Sequence, residues 1–232
     1  MVVGSCCSLY SGVASVHFNE AIARRDLETY RQKGPGSTTR LLRDLLVEAG
    51  PLDGVLLDVG SGIGGLMFEL LERGLGRAIA VDASSAYLAA AAEEATRRDR
   101  LRALQFVHGD FLDVASQVPA AAMVTLDRVI CCYPSYEPLL QESLRHAERS
   151  FAFSYPRAAW YVRAAIAFEN TVRWLKNDPF RAFVHPVEGM TTVIEAAGFT
   201  LVERRRTWQW AADLWVRSHA WQDRHRSTEA SG

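Results

Sequence analysis

Apolar residues recur at helical spacing from Phe18 to Tyr30 (Ile22, Leu27, Tyr30) and again from Thr38 to Ala49 (Leu41, Leu42, Leu45, Leu46). Gly34-Pro35-Gly36 separates the two runs, so two leading helices are predicted. The period then changes. Val55-Leu56-Leu57-Asp58-Val59 is a compact apolar run stopped by glycines, as expected of a strand buried on both faces. Leu66 to Arg73 returns to helical spacing and closes at Gly74. Arg77 to Val81 reads as a second strand ending at Asp82, and Ser84 is placed to cap an alanine-rich helix running to Arg98. Leu104 to His108 and Ala122 to Leu126 give a third and a fourth strand, Tyr136 to Arg149 a helix, and Ser150 to Tyr155 a fifth strand.

Regular alternation of strand and helix implies right-handed crossovers and a doubly wound α/β sheet. After Pro156 it pauses for a long amphipathic segment, Ala158 to Lys176, expected to carry Trp160, Ile166, Phe168, Val172 and Leu175 toward one side. A helix from Val187 to Ala197 follows and ends at Gly198. Thr200 to Trp208 and Asp213 to Ser218 are β-rich and closely connected, so they are expected to pair antiparallel. The predicted organisation is a flexible arm over 1–17, one domain over 18–220 and a polar tail over 221–232.

Composition changes this picture little. With 232 residues, 49% hydrophobic and 23% charged, the chain is an ordinary globular one. A formal net charge of -1 gives no reason to expect nucleic acid or an anionic membrane as an obligatory partner. No run of about 18 apolar residues suggests a membrane span. Met1 to Cys7 lacks the basic region and apolar core of a secretory leader, so a cytoplasmic location is expected. The cysteine pairs Cys6-Cys7 and Cys131-Cys132 do not follow zinc spacing; no metal site is expected, and the thiols read as small buried groups.

The candidate chemistry starts at Asp58-Val59-Gly60-Ser61-Gly62-Ile63-Gly64-Gly65. Strand, glycine turn and helix let a ligand approach the backbone at the carboxyl edge of a sheet. Gly60, Gly62 and Gly65 keep the spacing of a dinucleotide fingerprint, with Asp82 about twenty residues on, so an NAD(P)-dependent oxidoreductase fits the turn by itself. Other residues favour a cationic ligand. Asp58 precedes the glycines, where a carboxylate attracts a cation and repels a pyrophosphate. Asp82 is placed to accept from ribose hydroxyls, and Gly109-Asp110-Phe111 offers a carboxylate and a ring to an adenine.

The stretches LLDVGSGIGG, IAVDAS, VHGDF and VTLDRVICCYP, over roughly residues 53–218, resemble class I S-adenosylmethionine-dependent methyltransferases. The resemblance implies a seven-stranded, mostly parallel sheet with the last strand antiparallel. It also implies S-adenosylmethionine as cofactor, held by Asp58, Gly60, Ser61, Gly62, Asp82, Ala83, Asp110, Phe111 and Asp127. The order FAFSYPR, insert, EAAGF, arginine-rich strand is similar to small-molecule members such as the magnesium-protoporphyrin group. A small-molecule acceptor methylated on oxygen or nitrogen is the implied reaction, with a non-catalytic binding protein of the same fold as the alternative.

Methyl transfer needs alignment and, for hydroxyl or ammonium acceptors, a proton acceptor. Asp127 and Tyr133 after the fourth strand, with Arg128, Cys132 and Tyr155 nearby, are expected around the acceptor. His185, in Phe183-Val184-His185-Pro186, is the histidine proposed as general base, against the commoner fate of a structural hydrogen bond. His17 has no motif around it. Tyr30 and Lys33, at the end of the leading helix, are positioned to reach the cofactor carboxylate. The insert, residues 158–185, reads as a substrate lid, with a basic membrane-surface helix as the alternative. Arg204-Arg205-Arg206 reads as the alternating or solvated part of a strand.

Overall fold

Five strands, β1 (Val55–Val59), β2 (Arg77–Asp82), β3 (Leu104–His108), β4 (Ala121–Leu126) and β5 (Ala147–Pro156), run parallel in the computed structural model, which describes residues 17–218. The last strand, β7 (Trp210–Arg217), lies antiparallel between β5 and β6 (Phe199–Arg206). The sheet order is β3-β2-β1-β4-β5-β7-β6, which is the expected seven-stranded, mostly parallel sheet.

Alternate residues of each strand feed two cores. Leu57, Val59, Ile79, Val81, Phe151, Phe153 and Trp215 face one side, where they meet helices α5 (Phe111–Val114), α6 (Glu137–His146) and α8 (Val187–Ala196). The other side presents small residues, Ala78, Ala80, Ala152 and Ala212, so helices α2 (Ser37–Glu48), α3 (Gly65–Leu71) and α4 (Ser85–Arg97) bring leucines close to the backbone. The first helix, α1 (Glu20–Lys33), packs on α4 and is capped by Asn19, which accepts from the Ala21 and Ile22 amides. Ser84 caps α4 as expected, accepting from the Tyr87 amide at 3.2 Å. Helix α7 (Trp160–Leu175) is the insert after β5.

Two boundaries and one side chain stand apart from the sequence expectation. The α6 helix ends at His146 rather than Arg149, because Arg217 donates to the carbonyls of Leu144, Ala147 and Glu148 and closes the helix there. Strand β7 starts three residues early, at Trp210, because Thr207 Oγ1 accepts from the Gln209 and Trp210 amides in a tight turn. Arg204 is not solvated. It makes two 2.7 Å hydrogen bonds to Asp213, whose carboxylate is 1% exposed and also accepts from the Tyr155 hydroxyl. His17, assigned to the flexible arm, packs against Phe180; the rest of the arm and the 221–232 tail lie outside the described residues.

Candidate active site

The chain runs outward from β1 to β3 and then returns to place β4 on the other side of β1. That reversal separates the loops leaving β1 and β4 and opens a crevice at their carboxyl ends. A cavity of about 650 Å³ occupies it, within the range of small-ligand sites.

The glycine loop is drawn over β2 by hydrogen bonds. The amides of Gly60 and Ser61 donate to the Val81 carbonyl at 2.7 and 3.1 Å. Asp82 Oδ2 accepts from the Gly62 amide and Oδ1 from the Ser84 amide, both at 2.8 Å. Gly60 has φ of 65°, and a Cβ there would collide with Val129 Cγ2. Left-handed strain and overpacking together put the cost of Gly60→Ala at about 2–3 kcal/mol. Urea denaturation should show that loss and Gly60→Ala/Val129→Ala should recover part of it; equal losses would exclude the collision.

Asp58, at the end of β1, is 2% exposed and accepts from the Thr125 hydroxyl at 2.7 Å. Burial pushes its carboxyl up to about 7, against the Thr125 hydrogen bond, and the charges of Asp127 and Asp82 push the same way. Asp110 Oδ1 accepts from the Leu112 amide at 3.0 Å and from the Tyr133 hydroxyl at 2.8 Å. Its Oδ2 is buried without a protein partner, and so is Ser61 Oγ. Both residues line the cavity. Buried polar atoms are seldom left unpaired, so these two mark where a polar ligand fits. Ala83 lines the cavity too, its carbonyl 3.1 Å from His108 Nε2. Phe111 also lines the cavity, but it is only 2% exposed and packs edge-on against His146, so most of the ring belongs to the core.

Asp127 lies on the cavity wall as expected, with both oxygens engaged. Oδ2 accepts from Thr39 at 2.6 Å and Oδ1 from Ser154 at 2.7 Å, tying α2 to the ends of β4 and β5. Tyr133 is on the wall too, and its hydroxyl serves Asp110 rather than the acceptor end. Tyr30 contributes its ring, but its hydroxyl donates to Glu69 at 3.1 Å and Arg98 covers the ring. Lys33 is exposed at the end of α1 and does not line the cavity.

His185 is not in the cavity. Its Nε2 sits 3.1 and 3.0 Å from the carbonyls of Ile130 and Tyr133, which only an N–H can serve, and burial lowers its pKa. The ring pins the segment before α8 to the turn Ile130–Cys132. In that turn the Cys131 and Cys132 thiols both donate to the Arg128 carbonyl. The histidine that does face the cavity is His17, which the sequence did not single out. Its Nδ1 lies 3.0 Å from Asp178 Oδ2, and its ring stacks on Phe180 at 4.3 Å. Ile166, Glu169 and Arg173 of α7 roof the same end, as a lid would.

A methyltransferase-domain family model matches residues 56–152, the stretch that carries Asp58, Gly60, Asp82, Asp110 and Asp127. Residues 56–152 are a methyltransferase domain. The domain match sets aside the nicotinamide reading of the glycine spacing, and S-adenosylmethionine is the cofactor of this methyltransferase.

Solved structures share its fold. Magnesium protoporphyrin IX methyltransferase from Synechocystis PCC 6803, with bound SAH, superposes with a TM-score of 0.71 and 19% identity, over 90% of this chain and 100% of that one. An O-methyltransferase family protein from Burkholderia thailandensis gives 0.70 and 15%, over 87% and 62%. The O-methyltransferase family 2 protein from Planctomyces limnophilus, in complex with apigenin, gives 0.64 and 16%, over 93% and 68%. No curated protein sequence matches the methyltransferase.

Proposed function

We propose that this methyltransferase acts on an oxygen or nitrogen of a small-molecule acceptor held under α7, with His17 as the base. The observation that carries the reading is the continuity of the cavity. One partly open chamber of about 650 Å³ extends from the glycine loop to the inner face of α7, is walled by Asp26, Thr29 and Tyr30 of α1, and has the size of a site for small molecules. The protoporphyrin and apigenin named for the similar structures support a small acceptor. A net charge of -1 gives no support to a nucleic-acid substrate.

When bound, S-adenosylmethionine supplies a methyl group on a cationic sulfur, which keeps the bonding pair as the acceptor's lone pair attaches. The side chains hold the two ends of that alignment. Asp82 uses one lone pair per oxygen on the Gly62 and Ser84 amides and keeps another on each for the ribose hydroxyls. Asp110 Oδ2 is assigned to the adenine amino group, and Ser61 Oγ to the methionine end. At the acceptor end, Asp178 accepts from Nδ1–H of His17, leaving a lone pair on Nε2 to take the acceptor's proton.

The raised Asp58 carboxyl makes binding depend on pH. Its folded pKa of about 7 lies above the ordinary 3.8, so it contributes stability to the ligand-free chain that is fully present below about 4. That contribution is lost as pH rises through about 7. A cationic ligand prefers the ionised form, so cofactor affinity should climb over the same window, with proton release on binding. Calorimetry in buffers of different ionisation enthalpy should register that release in the wild type and not in Asp58→Asn; equal release in both would remove Asp58 from the account.

The acceptor class is tested with methyl-labelled S-adenosylmethionine in a cell extract. Label is expected in the low-molecular-weight fraction, and label confined to protein or nucleic acid would overturn the reading. A cytoplasmic location is part of the proposal: the buried Cys131 thiol suits a reducing compartment, and no helix among the described residues is long and apolar enough to cross a membrane.

A further inference from the structure

Helix α7 is amphipathic in the reverse of the usual sense. Its inner arc carries Val162, Ile166, Glu169 and Arg173, of which Ile166, Glu169 and Arg173 line the cavity. At 3.6 residues per turn, Trp160, Ala164, Phe168, Thr171, Trp174 and Leu175 fall together on an outer arc of about 120°. Trp160 is 80% exposed, Phe168 71%, Trp174 66% and Leu175 68%. Trp208, 67% exposed in the β6–β7 turn, adjoins this face: Tyr161 stacks on its ring and donates to its carbonyl at 2.7 Å. Nothing among the described residues covers these side chains. Scattered exposed apolar residues are ordinary, but a continuous face of three tryptophans, a phenylalanine and a leucine marks an interaction site.

Charge around the face selects the occupant. Arg163 on its border, Lys176 at the end of α7 and Arg206 two residues before Trp208 are all exposed, and none has an ion-pair partner among the described residues. The outer arc holds no carboxylate, because Glu169 lies on the inner side and pairs with Arg173. A second copy docked on this face would set these cations against their own equivalents with no acid to neutralise them. An anionic bilayer surface supplies the opposite charge, an apolar layer for Phe168 and Leu175, and the headgroup boundary that tryptophan prefers. We infer that the outer face of α7, with Trp208, docks the methyltransferase peripherally on an anionic lipid surface. The lid and surface-helix readings of the insert are then its two faces, and docking does not depend on methyl transfer.

The test is flotation of the full chain with phosphatidylcholine vesicles, with and without phosphatidylglycerol. The chain should float with the anionic vesicles, less so as salt is added. Phe168→Ser/Trp174→Ser should lower the bound fraction roughly tenfold or more. Arg163→Glu/Lys176→Glu should remove the preference for phosphatidylglycerol. These positions are exposed, so unchanged melting midpoints are expected and verify that the variants fold. Failure to float, or flotation indifferent to both double variants, would overturn the inference. So would a wild-type dimer in light scattering that Phe168→Ser/Trp174→Ser converts to monomer without any vesicle binding. Vesicle binding seen only after removal of residues 1–16 would overturn it in favour of that segment as the occupant.

Discussion

Replacing His17 with alanine is expected to slow methyl transfer about 10²–10⁴-fold, the usual contribution of a positioned base, while cofactor affinity stays close to that of the wild type. Of the two histidines that bear on the site, His185 has its Nε2 committed to two carbonyls, whereas His17 lies on the cavity wall with Nδ1 turned to Asp178. A carboxylate on one nitrogen fixes the tautomer that leaves the other as an acceptor. Asp178→Asn should therefore lower the rate in the same direction by a smaller factor. A packing role is conceivable, because the His17 ring stacks on Phe180. Free imidazole separates the two: it should restore part of the rate to His17→Ala, which a lost stacking contact would not permit. A full rate in His17→Ala would exclude this base.

The second large effect concerns stability. Arg204→Leu should cost about 3–5 kcal/mol, because it leaves the Asp213 carboxylate buried with only the Tyr155 hydroxyl for company. The Arg204 side chain is 21% exposed, which favours the lower end of that range. Removing both charges, in Arg204→Leu/Asp213→Leu, should recover most of the loss, since an apolar pair of similar volume pays no desolvation. Urea denaturation at neutral pH measures both, and a loss under about 1 kcal/mol in the single variant would class the pair with surface ion pairs. The pair matters to the site because β7 holds the end of β5, where Ser154 engages Asp127 and Pro156 lines the cavity.

How much of this was legible in the sequence follows the range of the interactions. Val55–Val59 and the glycines after it could be read because a buried parallel strand and a tight turn leave local marks. Asp58, Asp82 and Asp110 were legible as candidates because Asp58 and Asp82 lie at the carboxyl ends of strands and Asp110 just past one. The early start of β7 was not, because Ala211 and Ala212 have no strand preference and are fixed by pairing with Tyr155 and Ser154. Thr39 and Ser154, which occupy both oxygens of Asp127, come from distant segments that only the fold brings together. His17 was passed over for the same reason: its partners Asp178 and Phe180 sit across the insert, and no spacing announces them. His185 looked catalytic because the sequence shows that an imidazole precedes a helix but not which way it turns. The amphipathic character of α7 was visible, but the sequence reading joined Trp160, Phe168 and Leu175 to Ile166, which the helix turns the other way, onto the cavity.

The central claim is that the crevice between the β1 and β4 loops binds S-adenosylmethionine through Asp58, Asp82 and Asp110. Calorimetric titration of S-adenosylmethionine into the full chain tests it most directly. Saturable one-to-one binding is expected, weakened by about 1–3 kcal/mol in Asp82→Ala through loss of a charged hydrogen-bond partner. An absence of binding in a chain that melts cooperatively, or an Asp82→Ala chain that binds as well as the wild type, would contradict it.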